Sequence, residues 1–414
     1  MDNAEALKLF QHKLKSGFDK SIAEELICVL DLVPLAVSQA AAYLNRRAPR
    51  ISIRSYLDIF RESEQKKTSL LNFDGGDIRR HEGVSNSVVG TWQVTFEGLR
   101  QERPSAAMLL SLLSFFCPQN IPDCMLSGYS QVENEDFEDD LDALRTYSLV
   151  NLSKVSGFCD MHSLVQFCTQ RWLSKFDDLM RWKSLFLQLS AKHFPSGAFE
   201  TWAFCQKLLP HIQAILEQQP LQKRDILEWS TLSTNVSWYM ILKGDHTRAE
   251  TLLVKAVDAR EWLLGAEHPF TLTSMANLAS TFRNQGRWKE AELLEVKVME
   301  TKQRVLGEEH PDTLTSMGNL ASTFRNQGRW KEAELLEVKV METRQRVLGE
   351  EHPDTLTSMA NLAFTLSGQD RSKEALDLMH TCVSLRQRIL RSAHPHTRSS
   401  IETLKAWEQK DSAG

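Results

Sequence analysis

One stretch of this chain limits its possible folds more than any other. Residues 268–309 and 310–351 are two copies of one 42-residue sequence, differing only at Phe270/Asp312, Ala276/Gly318 and Lys302/Arg344. A His-Pro dipeptide marks the same step four times, at His268, His310, His352 and His394. A fixed period of roughly 20–50 residues belongs to stacked repeats, in which no unit buries its apolar face alone and neighbours complete one continuous core. Recognition across an extended surface is therefore the first expectation.

The unit itself reads as two helices. Pro311 stands just before the first, Asp312 or Thr313 is available to cap it, and Leu314, Met317, Leu320, Ala321 and Phe324 form its buried stripe. Asn326-Gln327-Gly328 predicts a turn in which the glycine takes the left-handed conformation that ends helices. The second helix is expected from Trp330 to Leu348, with Ala333 small where the helices cross, and Gly349 closes the unit. Asn235, Asn277, Asn319 and Asn361 are equivalent by position, as are Ala249, Ala291, Ala333 and Ala375. Four units follow, 226–267, 268–309, 310–351 and 352–393, with a lone final helix over His394–Trp407. Degenerate outer units act as caps, because an open end would expose core.

The first half carries other patterns. Residues 1–75 read as a helical subdomain, in which Pro34 opens a small-residue helix and Ser52 or Ser55 caps a later one. Residues 72–87 are glycine-rich and polar, which predicts an exposed loop. Within 76–175, an apolar helix over Ser105–Phe116, a helix with Phe137, Leu141 and Leu144 inward, and a hairpin around Lys154–Gly157 outline a winged helix. Residues 176–225 read as an aromatic helical connector. The fold class expected is thus predominantly all-α, with one small β-hairpin and a C-terminal α-solenoid.

A winged helix raises the question of DNA. The candidate recognition helix holds Glu138, Asp139, Asp140 and Asp142 against the single Arg145, and the chain's net charge is −5. Phosphate contact needs the opposite sign, so nucleic acid is not expected as a partner. Seven scattered cysteines, none in a C-x-x-C arrangement, predict reduced core thiols rather than a zinc site or disulfide framework. No apolar run approaches the ~18 residues of a membrane span. The start of the chain has no signal-peptide core, so a cytoplasmic location is expected. No catalytic triad, nucleophile elbow, metal-ligand set or dinucleotide fingerprint occurs, and the expectation is a non-enzyme with no cofactor and no metal.

The helix–turn–helix unit with its aromatic, alanine and glycine offsets resembles the tetratricopeptide repeat, and its LG-x-x-HP-x-T-L link resembles the kinesin-light-chain type. That resemblance implies a concave groove lined by the first helices. Its wall would be Thr273, Asn277, Ser280, Arg283 and Asn284 in one unit and Thr315, Asn319, Ser322, Arg325 and Asn326 in the next. Asn235 and Asn361 extend the asparagine row. Each carboxamide offers a donor and an acceptor to a peptide backbone, and Arg283 and Arg325 would favour a carboxylate-bearing partner. Leu32-Val33-Pro34-Leu35-Ala36 resembles the GLPLA signature of NB-ARC domains, and Met161-His162-Ser163-Leu164-Val165-Gln166 resembles the MHD-type motif of fungal NOD-like receptors of the STAND class. By that resemblance Pro34 would pack by an adenine and His162 would reach a β-phosphate. No G-x-x-x-x-G-K-[ST] occurs in these 414 residues, however. The chain is therefore expected to be the C-terminal part of a receptor. Its repeats would sense a protein or peptide ligand, and ADP or ATP would enter only with a nucleotide-binding core supplied elsewhere. A homo-oligomer is possible in the intact receptor. A kinesin-light-chain-like adaptor for acidic cargo segments is the alternative.

Overall fold

The structure is a computed structural model of the whole chain, and it describes residues 1–72, 88–129, 137–153, 156–176, 178–195, 201–392 and 394–411. The predicted loop at 72–87 and the hairpin turn at 154–155 therefore fall almost wholly outside the described residues. The chain divides into two units, Met1–His193 with Gln206–Glu217, and Phe194–Cys205 with Gln218–Gly414.

The first unit opens with helices α1 (Asn3–Lys13), α2 (Lys20–Val29), α3 (Pro34–Arg47), α4 (Ile53–Glu62) and α5 (Glu64–Leu71). Their starts follow local chemistry. Asp2 closes a capping box with Glu5, Asp19 accepts from the amide of Ile22, Pro34 sits at the start of α3, and Ser52 accepts from the amide of Ser55. Next come α6 (Val88–Glu102) and α7 (Pro104–Leu113), then strand β1 (Ile121–Pro122) and α8 (Phe137–Thr146). Strands β2 (Val150–Leu152) and β3 (Phe158–Met161) follow. The expected hairpin is β2–β3, and β1 adds a third antiparallel strand in the order β1-β3-β2, pairing Ile121 with Cys159. Helices α9 (Ser163–Lys175), α10 (Leu179–His193) and the later residues of α11 (Trp202–Glu217) complete this unit.

Two expectations need correction here. Asp140 is not a solvent-facing acid of a recognition helix. It is buried, and it accepts hydrogen bonds from Ser105 Oγ at 2.7 Å, Tyr129 Oη at 2.6 Å and Arg103 Nη2 at 3.3 Å, which ties α8 to the start of α7. Nor are the cysteines uniformly core thiols. Cys159, Cys168, Cys205 and Cys382 are buried, while Cys28 and Cys124 are exposed.

The second unit is the solenoid. Its helix pairs are α12 (Lys223–Lys243) with α13 (His246–Leu264), α14 (Pro269–Asn284) with α15 (Trp288–Leu306), α16 (Pro311–Asn326) with α17 (Trp330–Leu348), and α18 (Pro353–Gly368) with α19 (Ser372–Leu390). Helix α20 (Pro395–Asp411) closes the fourth pair, placing Leu404 in a core with Leu356, Met379 and Val383. The predicted stripe is buried as expected, and Gly328 takes φ +77° in the turn.

The caps of α14, α16, α18 and α20 are not the expected ones. Histidine supplies them, not Asp312 or Thr313: the Nδ1 atoms of His268, His310, His352 and His394 accept from the amides two residues on at 3.2, 3.1, 3.2 and 3.3 Å. The proline after each histidine has no amide to satisfy, so a ring that spans two residues reaches the first free N–H. His-Pro thus recurs as a helix start. Replacing His310 by alanine should cost about 1 kcal/mol, as for other lost N-caps, whereas His310→Asn keeps an acceptor and most of that stability. Urea denaturation of the whole chain checks it, and equal losses for both variants would contradict the capping role.

Candidate functional site

The inner helices of the solenoid place equivalent side chains in rows. The first row is Asn235, Asn277, Asn319 and Asn361, all half-buried. In the first unit Asn235 Nδ2 donates to the main-chain oxygen of Phe194, a long bond of 3.4 Å. The side chains of Asn277, Asn319 and Asn361 have no hydrogen-bond partner among the described residues, nor do those of Asn284 and Asn326. One rung of the ladder therefore meets a backbone carbonyl of its own chain, and the remaining rungs are open.

The other predicted residues are largely committed to the scaffold. Thr315 Oγ1 donates to Pro311 O at 2.9 Å and accepts from Arg344 Nη2 at 3.0 Å, and Thr273 Oγ1 donates to Pro269 O at 2.9 Å. Ser280 is buried and accepts from Arg283 Nη2 at 3.1 Å. Ser322 donates to Gly318 O and accepts from Arg325 Nη2.

The arginines differ most from expectation. Arg283 Nη1 lies 2.9 Å from Glu295 Oε1 and donates to Asn319 O at 3.1 Å in the next inner helix. Arg325 repeats this, with Glu337 Oε1 at 3.4 Å and Asn361 O at 3.0 Å. Glu295 and Glu337 are buried in the outer helices, 3% and 2% exposed, so each arginine is neutralised inside the wall rather than held out for a ligand. Burial outweighs the pairing at both ends of the second pair, pushing the Glu337 carboxyl up and the Arg325 guanidinium down. The sequence does carry the signal for this pairing. At equivalent positions the first unit has Ile241 and Leu253 and the fourth has Ser367 and Met379, so arginine and glutamate come and go together.

Sequence reasoning also missed what flanks the middle units. At the position of Ser280 and Ser322 the first unit carries Trp238, half-buried, and the fourth carries Phe364, exposed and edge-on to Trp407 at 5.3 Å. At the position of Asn284 and Asn326 the first unit carries Leu242, also exposed. Along these equivalent positions the middle units are polar and the outer units apolar.

In the first unit the two motifs that lie far apart in sequence do meet. Asp31, in a left-handed turn at φ +52°, accepts from Ser163 Oγ and from the amide of Leu164 at 2.9 Å. It thereby caps α9 just after His162, while Asp160 accepts from the amide of Asn120 at 2.6 Å. His162, Asp31 and Asp160 share a cleft of about 400 Å³, and Pro34 is exposed outside its lining. Among the described residues that line this cleft there are two carboxylates and no lysine or arginine. Such a lining offers a phosphate no counter-charge, so the described residues of this cleft do not by themselves fit one. No group of three or more potential metal ligands lies together among the described residues. Likewise no described helix is long and apolar enough to cross a membrane.

Breaking one buried pair tests the wall. Arg325→Ala should destabilise the chain by about 3–5 kcal/mol, because Glu337 is left buried without its partner. The double change Arg325→Ser with Glu337→Met, which copies the fourth unit, should recover most of that loss in thermal or urea unfolding. A double variant as unstable as the single one would count against the pairing.

Comparison with known family models identifies the repeats of the second unit. The tetratricopeptide repeat family model matches residues 233–270, 271–312, 313–354 and 355–396. A nucleotide-binding leucine-rich repeat (NLR)-like protein of Hyaloscypha variabilis is 32% identical over 284 residues, 66% of this chain. The chain spans only 28% of that relative's length. Among solved structures, a putative kinesin light chain with nearly identical TPR-like repeats from Podosopora anserina is 28% identical, with a TM-score of 0.39, covering 44% of this chain and 85% of its own. A STAND protein with a tetratricopeptide repeat sensor from Pyrococcus horikoshii aligns over 99% of this chain and 65% of its own, at 11% identity and a TM-score of 0.29.

Proposed function

We propose that the tetratricopeptide repeats of this chain form the sensor of an NLR-like receptor, and that their groove takes an extended segment of a protein ligand. The observation that carries this reading is the asparagine row. Asn235 already spends its amide on the main-chain carbonyl of Phe194, while Asn277, Asn319 and Asn361 stand half-buried with their carboxamides unpaired among the described residues. A half-buried carboxamide bonded to no protein group keeps a donor and an acceptor that can exchange water for a peptide backbone, whatever that peptide's sequence. Non-catalytic recognition at this surface accounts for the side chains that remain free.

In this reading the first unit relays or restrains a nucleotide switch supplied elsewhere in the receptor. The cleft at His162 supports that division of labour, since its own carboxylates disfavour phosphate. Ligand held by the repeats would bias the receptor between two states only through a difference in affinity for them. The protein would work in the cytoplasm, and any homo-oligomer would belong to the intact receptor. The adaptor reading, with acidic cargo segments, needs cations free to receive them, and Arg283 and Arg325 are already paired.

Panning a phage-displayed library of random peptides against the whole chain tests the groove. Binders should lose affinity about tenfold or more in Asn277→Ala/Asn319→Ala, the expected effect of removing two amide contacts of about 1 kcal/mol each. Circular dichroism should be unchanged, since neither side chain bonds the scaffold. Undiminished binding by that double variant would place the ligand on another surface.

A further inference from the structure

The electrostatics of the groove narrow what it can accept. The three inner helices α14, α16 and α18 hold only four charged residues: Arg283, Arg325, Asp312 and Asp354. Both arginines are neutralised by buried glutamates of the outer helices and spend further donors on Asn319 O, Asn361 O and the serines beneath them. The two aspartates sit in the first turns, exposed, at one edge of the wall. The middle of the groove therefore presents uncharged amides and hydroxyls; the nearest cations without a carboxylate partner, Lys302 and Arg344, are buried behind it, Arg344 donating to Thr315 Oγ1.

We propose that the segment this groove takes is uncharged across the second and third units, and that it is gripped by its backbone. This rests on the groove being the binding surface. A ligand carboxylate laid over Arg325 would put a second anion beside Glu337, a carboxylate already buried at 2% exposure. A ligand ammonium would find only amide dipoles there. Either charge would surrender hydration without an exposed counter-charge to contact, which costs more than a neutral side chain pays for the same burial. Size is also constrained. Ser280 and Ser322 put short side chains in the middle, and a methyl added at Gly318 would meet nothing within 4 Å, so the middle is open. Trp238 and Phe364 stand one unit away on either side, where large apolar residues of the ligand can rest. The ligand class that matches is an extended, neutral peptide with small or polar residues in its centre and apolar residues toward its ends.

Sequencing the phage pool before and after panning on the whole chain reads this directly. Charged residues of both signs should fall at least about twofold in the central positions of the enriched peptides, as expected for discrimination against buried charge. A synthetic peptide from that pool should change affinity by less than about threefold between roughly 0.05 and 0.5 M salt, because no exposed ion pair is there to screen. Enrichment of Asp and Glu, or of Lys and Arg, in the central positions overturns the proposal. The Asn277→Ala/Asn319→Ala chain, panned in parallel, separates the two readings. If it loses the binders and they are charged, the groove stands and its neutrality falls; if it keeps them, or nothing is enriched, the groove itself falls. A Glu295→Gln/Glu337→Gln chain supplies the converse. It should shift the pool toward Asp and Glu by freeing both arginines, and a folded variant whose pool stays neutral contradicts the stated cause. Should that variant fail to fold, the parent chain's pool decides alone.

Discussion

Every junction between consecutive repeats closes on an arginine. Arg287, Arg329 and Arg371 each reach back across the junction to Glu250, Glu292 and Glu334, at 2.7, 2.7 and 2.5 Å, with Gln285, Gln327 and Gln369 bonding the same carboxylates. A second series, Arg304 to Glu267 and Arg346 to Glu309, runs along the exposed ends of the outer helices. Exposed pairs of this kind contribute only about 0–1 kcal/mol each, so they set register more than stability. Burial carries the energy. Arg260, Arg344 and Arg386 are buried between helices, and each donates to a main-chain oxygen of the following inner helix (Phe270, Asp354 and His396) and to a serine hydroxyl beside it. A solenoid is stable only through its nearest-neighbour interfaces, and these bonds hold three of them, with buried Lys302 at the equivalent place between the second and third units.

That dependence explains what was and was not legible in the sequence. Helix limits were legible: the outer helix expected from Trp330 to Leu348 has those bounds, and Gly328 turns as its position requires. Such features follow from periodicity and backbone sterics, which are local. The histidine caps were not foreseen, since Asp and Thr are the usual acceptors and both were present beside the proline. The arginine pairs were missed for a different reason. Arg283 and Glu295 are on different helices, and no single-helix spacing connects them. The repeat nevertheless provides an internal comparison, because both charges vanish together in the first and last units. Reading the four units against one another, rather than each against a helix template, exposes the pair.

The first unit shows the limit of motif reading. Pro34 and His162 were singled out for a ligand, yet the contact that joins their segments is made by Asp31, just before the first motif, and Ser163, next to His162. A carboxylate capping the start of α9 is a structural link, and it depends on a left-handed turn that no pattern of residue types announces. Asp140 makes the same point with opposite sign. Counted with the acids around it, it looks like surface charge; in place, three donors from α7 and its surroundings enclose it. Burial of a charged residue is a tertiary fact, and sequence supplies only its donors.

The near-identity of the second and third repeats follows from how their charges are housed. Arg283 pairs with Glu295 of its own repeat, and its remaining donor meets a main-chain oxygen of the next repeat, which any sequence provides. The exposed ladder is equally self-consistent, since each interior repeat carries both the glutamate offered forward and the arginine reaching back. Copying a whole interior unit therefore leaves both the buried Arg283–Glu295 type of pair and the exposed ladder intact. The outer units could not be copied in the same way: the first has no Gln-x-Arg to reach backward, and in the fourth Leu376 replaces the forward glutamate and packs against the terminal core. The copied unit adds one more open asparagine and one more neutralised arginine to the wall. Lengthening the groove in this way extends its backbone grip and leaves its charge unchanged, so reach and selectivity can vary independently.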